Sequence, residues 1–516
     1  LFCKMYEEEG YQSREIPAEI LTNNIYGIDI DRRCYQLACF ALTMKARAYH
    51  SRYLRRAVQP NVIALQNIDH DTIASAGNWS HKSALWNMEH VDTIGSLLQI
   101  APEEYEAIQV EVGLFGKDQQ VLKKQAQYLS AKYHCVVTNP PYLGKGMGDQ
   151  LKTYMQTNYS ESKTDTMAAF MVRCLDMCST NGKMAMINQQ TWMFTPSYIN
   201  LRDLLLDNFQ IDSLLQLGPH AFDEIGGEKV QCATFTFAKH KFNCLGVYYR
   251  LVEGKNQEQK ELMFLARENE YNNVNPISFN SIPGRRIGYW ANSHICSIFS
   301  QTSELAKVCR PVQGLATGDN PQFVRNWHEI SQDTFILNAK SASEVDVNGK
   351  KWVPYNKGGS ARKWYGNQEL LVNWENNGYE IRNFKDSNGK LRSRPQNTDY
   401  YFRPSISWGL ISGPNFRFFP QGFIFDIQGM SCFFESLDEM YKQIGWMNTK
   451  VFLEVSKVIS PAAHIQIGEI GQLPSSINTS HIIYDISKQN ISISRSDWDA
   501  HETSWDFQRN ELLTID

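Results

Sequence analysis

Asn139-Pro140-Pro141-Tyr142 closes the run HCVVT and leads into LGKGMGD, residues 143–149. HCVVT reads as a β-strand, so the tetrad falls at a strand's carboxyl end, where doubly wound sheets hold their ligands. A proline has no N–H, so its backbone offers only an acceptor there. The side-chain carbonyl of Asn139 and the backbone carbonyl of Pro140 can together accept both hydrogens of one exocyclic amine, and Tyr142 offers a flat face to the ring that bears it. Adenine N6 suits this arrangement: its lone pair is delocalised into the ring, and two acceptors on its hydrogens favour a pyramidal nitrogen able to attack a sulfonium methyl. Positioning and electrostatics carry such a step, with no side chain of tuned pKa. Because that amine is buried in a duplex, the base has to be flipped out, and stacking on Tyr142 offsets part of the cost.

The elements that must position this tetrad alternate. NIYGIDID (24–31) reads as a short buried strand ending in acids. It is followed by a helix in which Cys34, Leu37, Ala38, Ala41, Met44 and Ala48 recur at helical spacing. NVIAL (61–65) is a second strand, residues 88–132 read as helical, and HCVVT is the third strand. A helix from Asp165, a turn at Asn181-Gly182 and a strand Lys183–Asn188 come next. Then follow the helix LRDLLLDNF, the strand IDSLLQLG, and the strand VQCATFTFAK with Ala233, Phe235 and Phe237 on one face. The pattern predicts an α/β, doubly wound domain over residues 1–245. Residues 246–309 read as a connecting region. Residues 310–480, rich in aromatics and Asn-Gly turns, read as a mixed or β-rich second domain, and residues 481–516 as a C-terminal segment.

Length and charge narrow the partners. A chain of 516 residues implies two or three domains, and no apolar run approaches the roughly 20 residues that span a bilayer. Eleven cysteines without a CxxC pair read as thiols of a reducing cytosol, and no His/Cys spacing suggests a metal. The net charge of −4 hides a local excess, since residues 340–417 hold 13 Lys and Arg against 7 Asp and Glu. Lys357, Arg362, Lys363, Arg392 and Arg394 in that stretch are candidate DNA contacts, each with a solvated surface charge as the alternative. The loop GKGMG (144–148) follows the wrong strand for a dinucleotide fingerprint; it reads as a loop over the flipped base with Lys145 near phosphate, or as a loop without a ligand. The opening LFCKMYEEEGYQ reads as the middle of an amphipathic helix, as in a fragment.

The tetrad resembles the signature of amino-group DNA methyltransferases. NIYGIDIDRRCYQLACFAL, together with RPVQGLATGDNPQFVRNW, VPYNKGGSARKWYGNQELLVNWENNG and HETSWDFQRN, resembles the large N6-adenine enzymes of the BREX PglX and type IIG restriction-modification family over nearly the whole chain. That resemblance implies a Rossmann-like methyltransferase domain with a target-recognition domain behind it. It also implies S-adenosylmethionine as cofactor, double-stranded DNA as partner beside other phage-defence proteins, and a bacterial cytoplasmic setting. It assigns Asn139, Pro140, Pro141 and Tyr142 to catalysis, Asp29 to the cofactor's ribose and Ile30 to its adenine. Asp31 reads as a helix cap. Phe170 matches the aromatic on the cofactor's adenine and Phe237 the ring that sandwiches the flipped base opposite Tyr142, with core packing as the alternative for both. Where the family places an acid after its third strand this chain has ALQNI, which leaves Gln66 or Asn67. The glycine-rich motif that wraps the methionine end of the cofactor is missing from these residues, so the chain alone is expected to be inactive. The rival readings are a base-sensing DNA-recognition subunit without catalysis, and the methylase and specificity part of a restriction enzyme whose nuclease lies elsewhere.

Overall fold

In a computed structural model, which describes residues 1–56, 58–111, 116–223, 230–241, 244–409, 415–461, 465–476 and 481–509, the strands β1 (Tyr26–Asp29) and β2 (Asn61–Ala64) form a parallel pair. The helix Arg32–Tyr49 follows β1 because Asp31, in an extended conformation, caps its N-terminus, its Oδ1 accepting from Arg33 N at 2.7 Å. The Arg33 guanidinium also pairs with Asp31 and holds its carboxyl down to about 2. The apolar spacing of this helix predicts an inward face, yet Ala46 alone of its residues is buried, and Leu37 (67%) and Phe40 (62%) stand exposed.

The remaining strands of the first unit, residues 1–276, make a six-stranded sheet. It contains β3 (Tyr133–Thr138), β4 (Cys178–Gln189), β5 (Gln210–Gly218), β6 (Cys232–Ala238), β7 (Gly246–Arg250) and β8 (Glu270–Val274), in the order β3-β4-β6-β5-β7-β8. β3 runs parallel to β4, and β6 runs antiparallel between β4 and β5. Two expectations change here. The sheet does not end near residue 245, because β7 pairs with β5 and β8 with β7. β4 begins at Cys178, and residues 179–182 bulge out between the paired Cys178 and Lys183. A single core cluster, which includes Ile63, Leu65, Ile94, Leu122, Leu151 and Ala169, packs the segments after β2 against those around β3. Strands and helices together make this an α/β fold.

The second unit, residues 277–516, is mixed. One sheet has the order β10-β12-β11-β15, with β10 Val324–Asn326, β11 Trp352–Asn356, β12 Leu370–Asn373 and β15 Ile424–Phe425. The other has the order β14-β13-β16-β9, with β9 Cys309–Val312, β13 Ser405–Ser407, β14 Arg417–Phe419 and β16 Ser431–Phe434. Buried Asn356 joins them, its Nδ2 donating to Ser407 Oγ at 2.7 Å. Tyr355, Trp374, Tyr401 and Trp408 are core residues. The helix His481–Asp499 belongs to this unit, with Tyr484 edge-on to Tyr441 of the helix Leu437–Met447. No helix among the described residues is long and apolar enough to cross a membrane.

Candidate active site

Asn139 to Tyr142 leave the carboxyl end of β3 as a turn whose shape is set by a residue the sequence did not single out. Buried Thr166 donates its hydroxyl to Pro141 O at 2.7 Å and accepts from Leu143 N at 2.9 Å, while its own N–H donates to Leu143 O at 3.0 Å. Thr166 opens the helix Thr166–Met177, capped by Asp165 through Met167 N at 2.9 Å. Burial pushes the Asp165 carboxyl up. One hydroxyl therefore ties the tetrad to a fixed helix end. Within the tetrad Pro140 is buried and Asn139 and Pro141 are exposed. Tyr142 is half-buried and donates to Asn139 Oδ1 at 3.0 Å. Burial raises the Tyr142 phenol, so it stays a donor at neutral pH. An amide oxygen has two lone pairs, which leaves Asn139 one acceptor site, and among the described residues nothing donates to Pro140 O.

Across from this turn lies β1. Asp29 ends the strand half-buried, with one carboxylate oxygen accepting from Asp31 N at 2.8 Å and the other without a partner among the described residues. Ile30 is half exposed, and a Cβ on Gly95 (φ +63°) would come within 3.3 Å of it. Asn67 lies after β2, but its Oδ1 accepts from the backbone N–H of exposed Asp92 at 3.0 Å. Gln66 is held through its backbone by buried Gln125, at 2.6 and 3.1 Å. Phe170 is half-buried on the helix after the tetrad, between buried Ala169 and buried Met171. Buried Arg173 on the same helix donates to Ser96 O and Leu98 O, each at 2.9 Å, to Leu129 O at 2.6 Å, and to Asp176 at 2.7 Å. It thereby clamps the tetrad's helix to the segment that carries Gly95.

β1 and β3 are both edge strands, and no described strand pairs with either on the side facing the other. Their first residues adjoin, Tyr26 to Tyr133 with ring centroids 5.6 Å apart. Beyond them β3 exposes Val137 (75%). Two strand spacings amount to about 9.6 Å, a width that two tyrosine side chains bridge.

The register corrects the assignment of Phe237. β6 runs against β4, so Phe237 pairs with Met184, level with Val136, and lies below the tetrad. It is fully buried, edge-on to Phe235 at 5.6 Å and 6.1 Å from the Trp192 ring, which makes it a core residue. The residue of β6 level with the carboxyl end of β4 is Cys232, opposite Gln189. Buried Asn188, two residues beyond the partner of Thr138, has an Oδ1 with no hydrogen-bond partner. The one signal for it in sequence is a polar residue closing the apolar strand MAMI.

The basic candidates divide. Arg362 pairs with Asp497, donates to Tyr365 O at 3.0 Å and lies over Trp498, while Lys363 donates to Asn448 O at 3.0 Å. Both are committed within their unit and are less available for DNA than their sequence suggests. Lys357 faces buried Asp426, whose carboxyl burial pushes up. Arg392 and Arg394 are exposed on either side of buried Ser393, and Lys145 is exposed in the turn after the tetrad. Arg417 is buried at the start of β14, donating to Gly358 O and Ser360 O at 3.0 and 2.9 Å, and desolvation lowers it to about 10.

The end of β3 thus carries an acceptor turn and the end of β1 a half-buried acid, each on an edge strand. Residues 23–222 match the family model of the Eco57I restriction-modification methylase. Along its length it is homologous to the adenine-specific methyltransferase BrxX of Escherichia coli O9:H4 (strain HS), 34% identical over 560 residues and 99% of this chain. The adenine-specific methyltransferase PglX of Lacticaseibacillus casei (strain Zhang) is 33% identical over 553 residues and 100% of this chain. The chain spans 45% and 46% of those two relatives. Two solved structures share the fold at a TM-score of 0.50 over 95% of this chain. They are the ATP-dependent Type ISP restriction-modification enzyme LlaBIII bound to DNA (12% identity, 36% of that chain) and a DrdV–DNA complex (8% identity, 53% of that chain).

Proposed function

We propose that this chain is the catalytic and target-reading part of an adenine-specific DNA methyltransferase that draws its methyl group from S-adenosylmethionine, in restriction-modification or phage defence. The observation that carries the reading is the Asn139–Tyr142 turn, held by Thr166 at the end of β3 with acceptors left on Asn139 Oδ1 and Pro140 O. Those two carbonyls take the hydrogens of a flipped adenine amine and leave its lone pair free to attack. The Tyr142 ring stacks on the base, and Oδ1 keeps one lone pair for the amine beside the bond from the tyrosine hydroxyl.

The chain's residues fit the cofactor. The unpartnered oxygen of half-buried Asp29 suits a ribose hydroxyl, exposed Ile30 and half-buried Phe170 suit an adenine ring, and Asp92 with Asn67 suits its amine. S-adenosylmethionine, when bound, supplies an electrophilic sulfonium methyl. The open position between β1 and β3, in a chain that spans less than half of its curated relatives, supports a strand from outside these residues completing the sheet and bringing the glycine-rich turn for the methionine end. Duplex DNA is the substrate this reading requires, and the second unit reads the sequence.

Methyl transfer from labelled S-adenosylmethionine to DNA tests it. The longer protein is expected to transfer, residues 1–516 alone to transfer at background, and Asn139→Ala in the longer protein to lose at least about 10²-fold in rate with DNA binding kept. Undiminished transfer by Asn139→Ala would remove the tetrad from the chemistry. Transfer by residues 1–516 alone would show that the pocket needs no added strand.

A further inference from the structure

The second unit carries a basic hairpin that the proposed function leaves unused. Residues 384–394 fold back on themselves, with Arg392 N donating to Phe384 O at 3.0 Å and a bridge between Lys385 and Leu391. Asp386 stiffens the tip: one of its carboxylate oxygens accepts from both Asn388 N and Lys390 N at 2.9 Å, and Gly389 turns the chain at φ +77°. The base is anchored. Arg394 and Ala316 exchange backbone hydrogen bonds at 2.8 and 3.1 Å, and Ser393 turns inward to donate to Ile381 O. A Cβ on Gly318 would come within 2.8 Å of the Arg392 carbonyl carbon, so only glycine lets the two segments approach this closely.

What this frame presents outward is positive. Lys385, Lys390, Arg392 and Arg394 are exposed. The one carboxylate among residues 385–394, Asp386, is spent on backbone N–H groups. Lys385, Lys390 and Arg394 make no ion pair among the described residues, and Arg392 rests over Phe384 at 5.5 Å. Arg392 and Arg394 flank buried Ser393 and are both exposed. Asn388 stands exposed at the tip, and Leu391 is 54% exposed beside it. A two-stranded ribbon fits the roughly 12 Å width of the DNA major groove, where Asn reads adenine, Lys reads guanine and an apolar group meets the thymine methyl.

We propose that the hairpin 384–394 enters the major groove of the target duplex, with Asn388 and Lys390 on base edges and Lys385, Arg392 and Arg394 on the flanking phosphates. This rests on the DNA-methyltransferase reading. In the full-length protein, Asn388→Ala is expected to keep overall DNA affinity and relax the preference at one base pair of the methylated site about 10-fold. The triple variant Lys385→Ala, Arg392→Ala, Arg394→Ala is expected to lower the slope of log affinity against log salt by about 2.7, three phosphates at roughly 0.9 each. Lys457→Ala, which removes a cation paired with Glu454, is the control for bulk charge. Thermal melting checks that each variant is folded. An unchanged salt slope and an unchanged methylated site in folded variants would overturn the hairpin's role while leaving the methyltransferase reading intact. If the wild-type protein binds duplex DNA and loses slope in the triple variant yet transfers no methyl group, the hairpin stands and the catalytic reading falls. If it binds no duplex DNA, both fall.

Discussion

The two halves of the first unit are finished to different degrees. The six-stranded sheet buries Met184, Leu214, Phe235 and Phe237 almost completely, and its site turn is locked by three hydrogen bonds to Thr166. The β1–β2 pair carries a helix with one buried residue and leaves Leu37 and Phe40 in water. The side that carries the tetrad is thus preorganised, whereas the β1–β2 side leaves apolar surface exposed. On the proposed reading, in which positioning drives the reaction, the rigid half would hold the amine and the less finished half the methyl donor.

Three changes test the contrast. The largest effect is expected from Arg173, the clamp between the halves: Arg173→Met leaves the carbonyls of Ser96, Leu98 and Leu129 without their buried donor. It is expected to cost about 3–5 kcal/mol, read by denaturant unfolding as a lowered midpoint. An unchanged midpoint would show that the halves do not depend on this residue. Next is Thr166→Val, which keeps the shape and removes the hydroxyl. A loss of about 1–3 kcal/mol of positioning is expected to appear as a lower kcat in the longer protein with KM for the cofactor little changed. A fall in cofactor affinity instead would place Thr166 in the wrong half. The smallest is the pair Leu37→Ser and Phe40→Ser, expected to change the stability of residues 1–516 by no more than about 0.5 kcal/mol. The same pair is expected to cost several times more in the longer protein if added chain covers that face. Equal costs in both would mean that nothing covers it.

What was legible in the sequence was local. The tetrad's place at a strand end, the Asp31 cap and most of the strand and helix alternation depend on neighbours a few residues apart, and these lie where the pattern put them, apart from the start of β4 and the strands after residue 245. What was illegible depends on pairing at a distance. The level of Phe237 is set by β6 running antiparallel to β4, which no periodicity reports. Thr166 looked like one more helix-start residue until the turn folded 25 residues back to it. Arg362 and Lys363 looked like free cations because Asp497 and Asn448, 135 and 85 residues away, are invisible to composition. The charge excess of residues 340–417 was legible as a sum, but four of its exposed cations, Lys385, Lys390, Arg392 and Arg394, lie in a hairpin of which only Arg392 and Arg394 were singled out.

The unpaired border of β3 also has a consequence for handling the protein. A strand with free N–H and C=O groups and an exposed Val137 is a template for another chain's strand. At high concentration residues 1–516 are therefore expected to self-associate through this border while still folded. A lysine at position 137 is the change that would keep them apart without disturbing the tetrad two residues on.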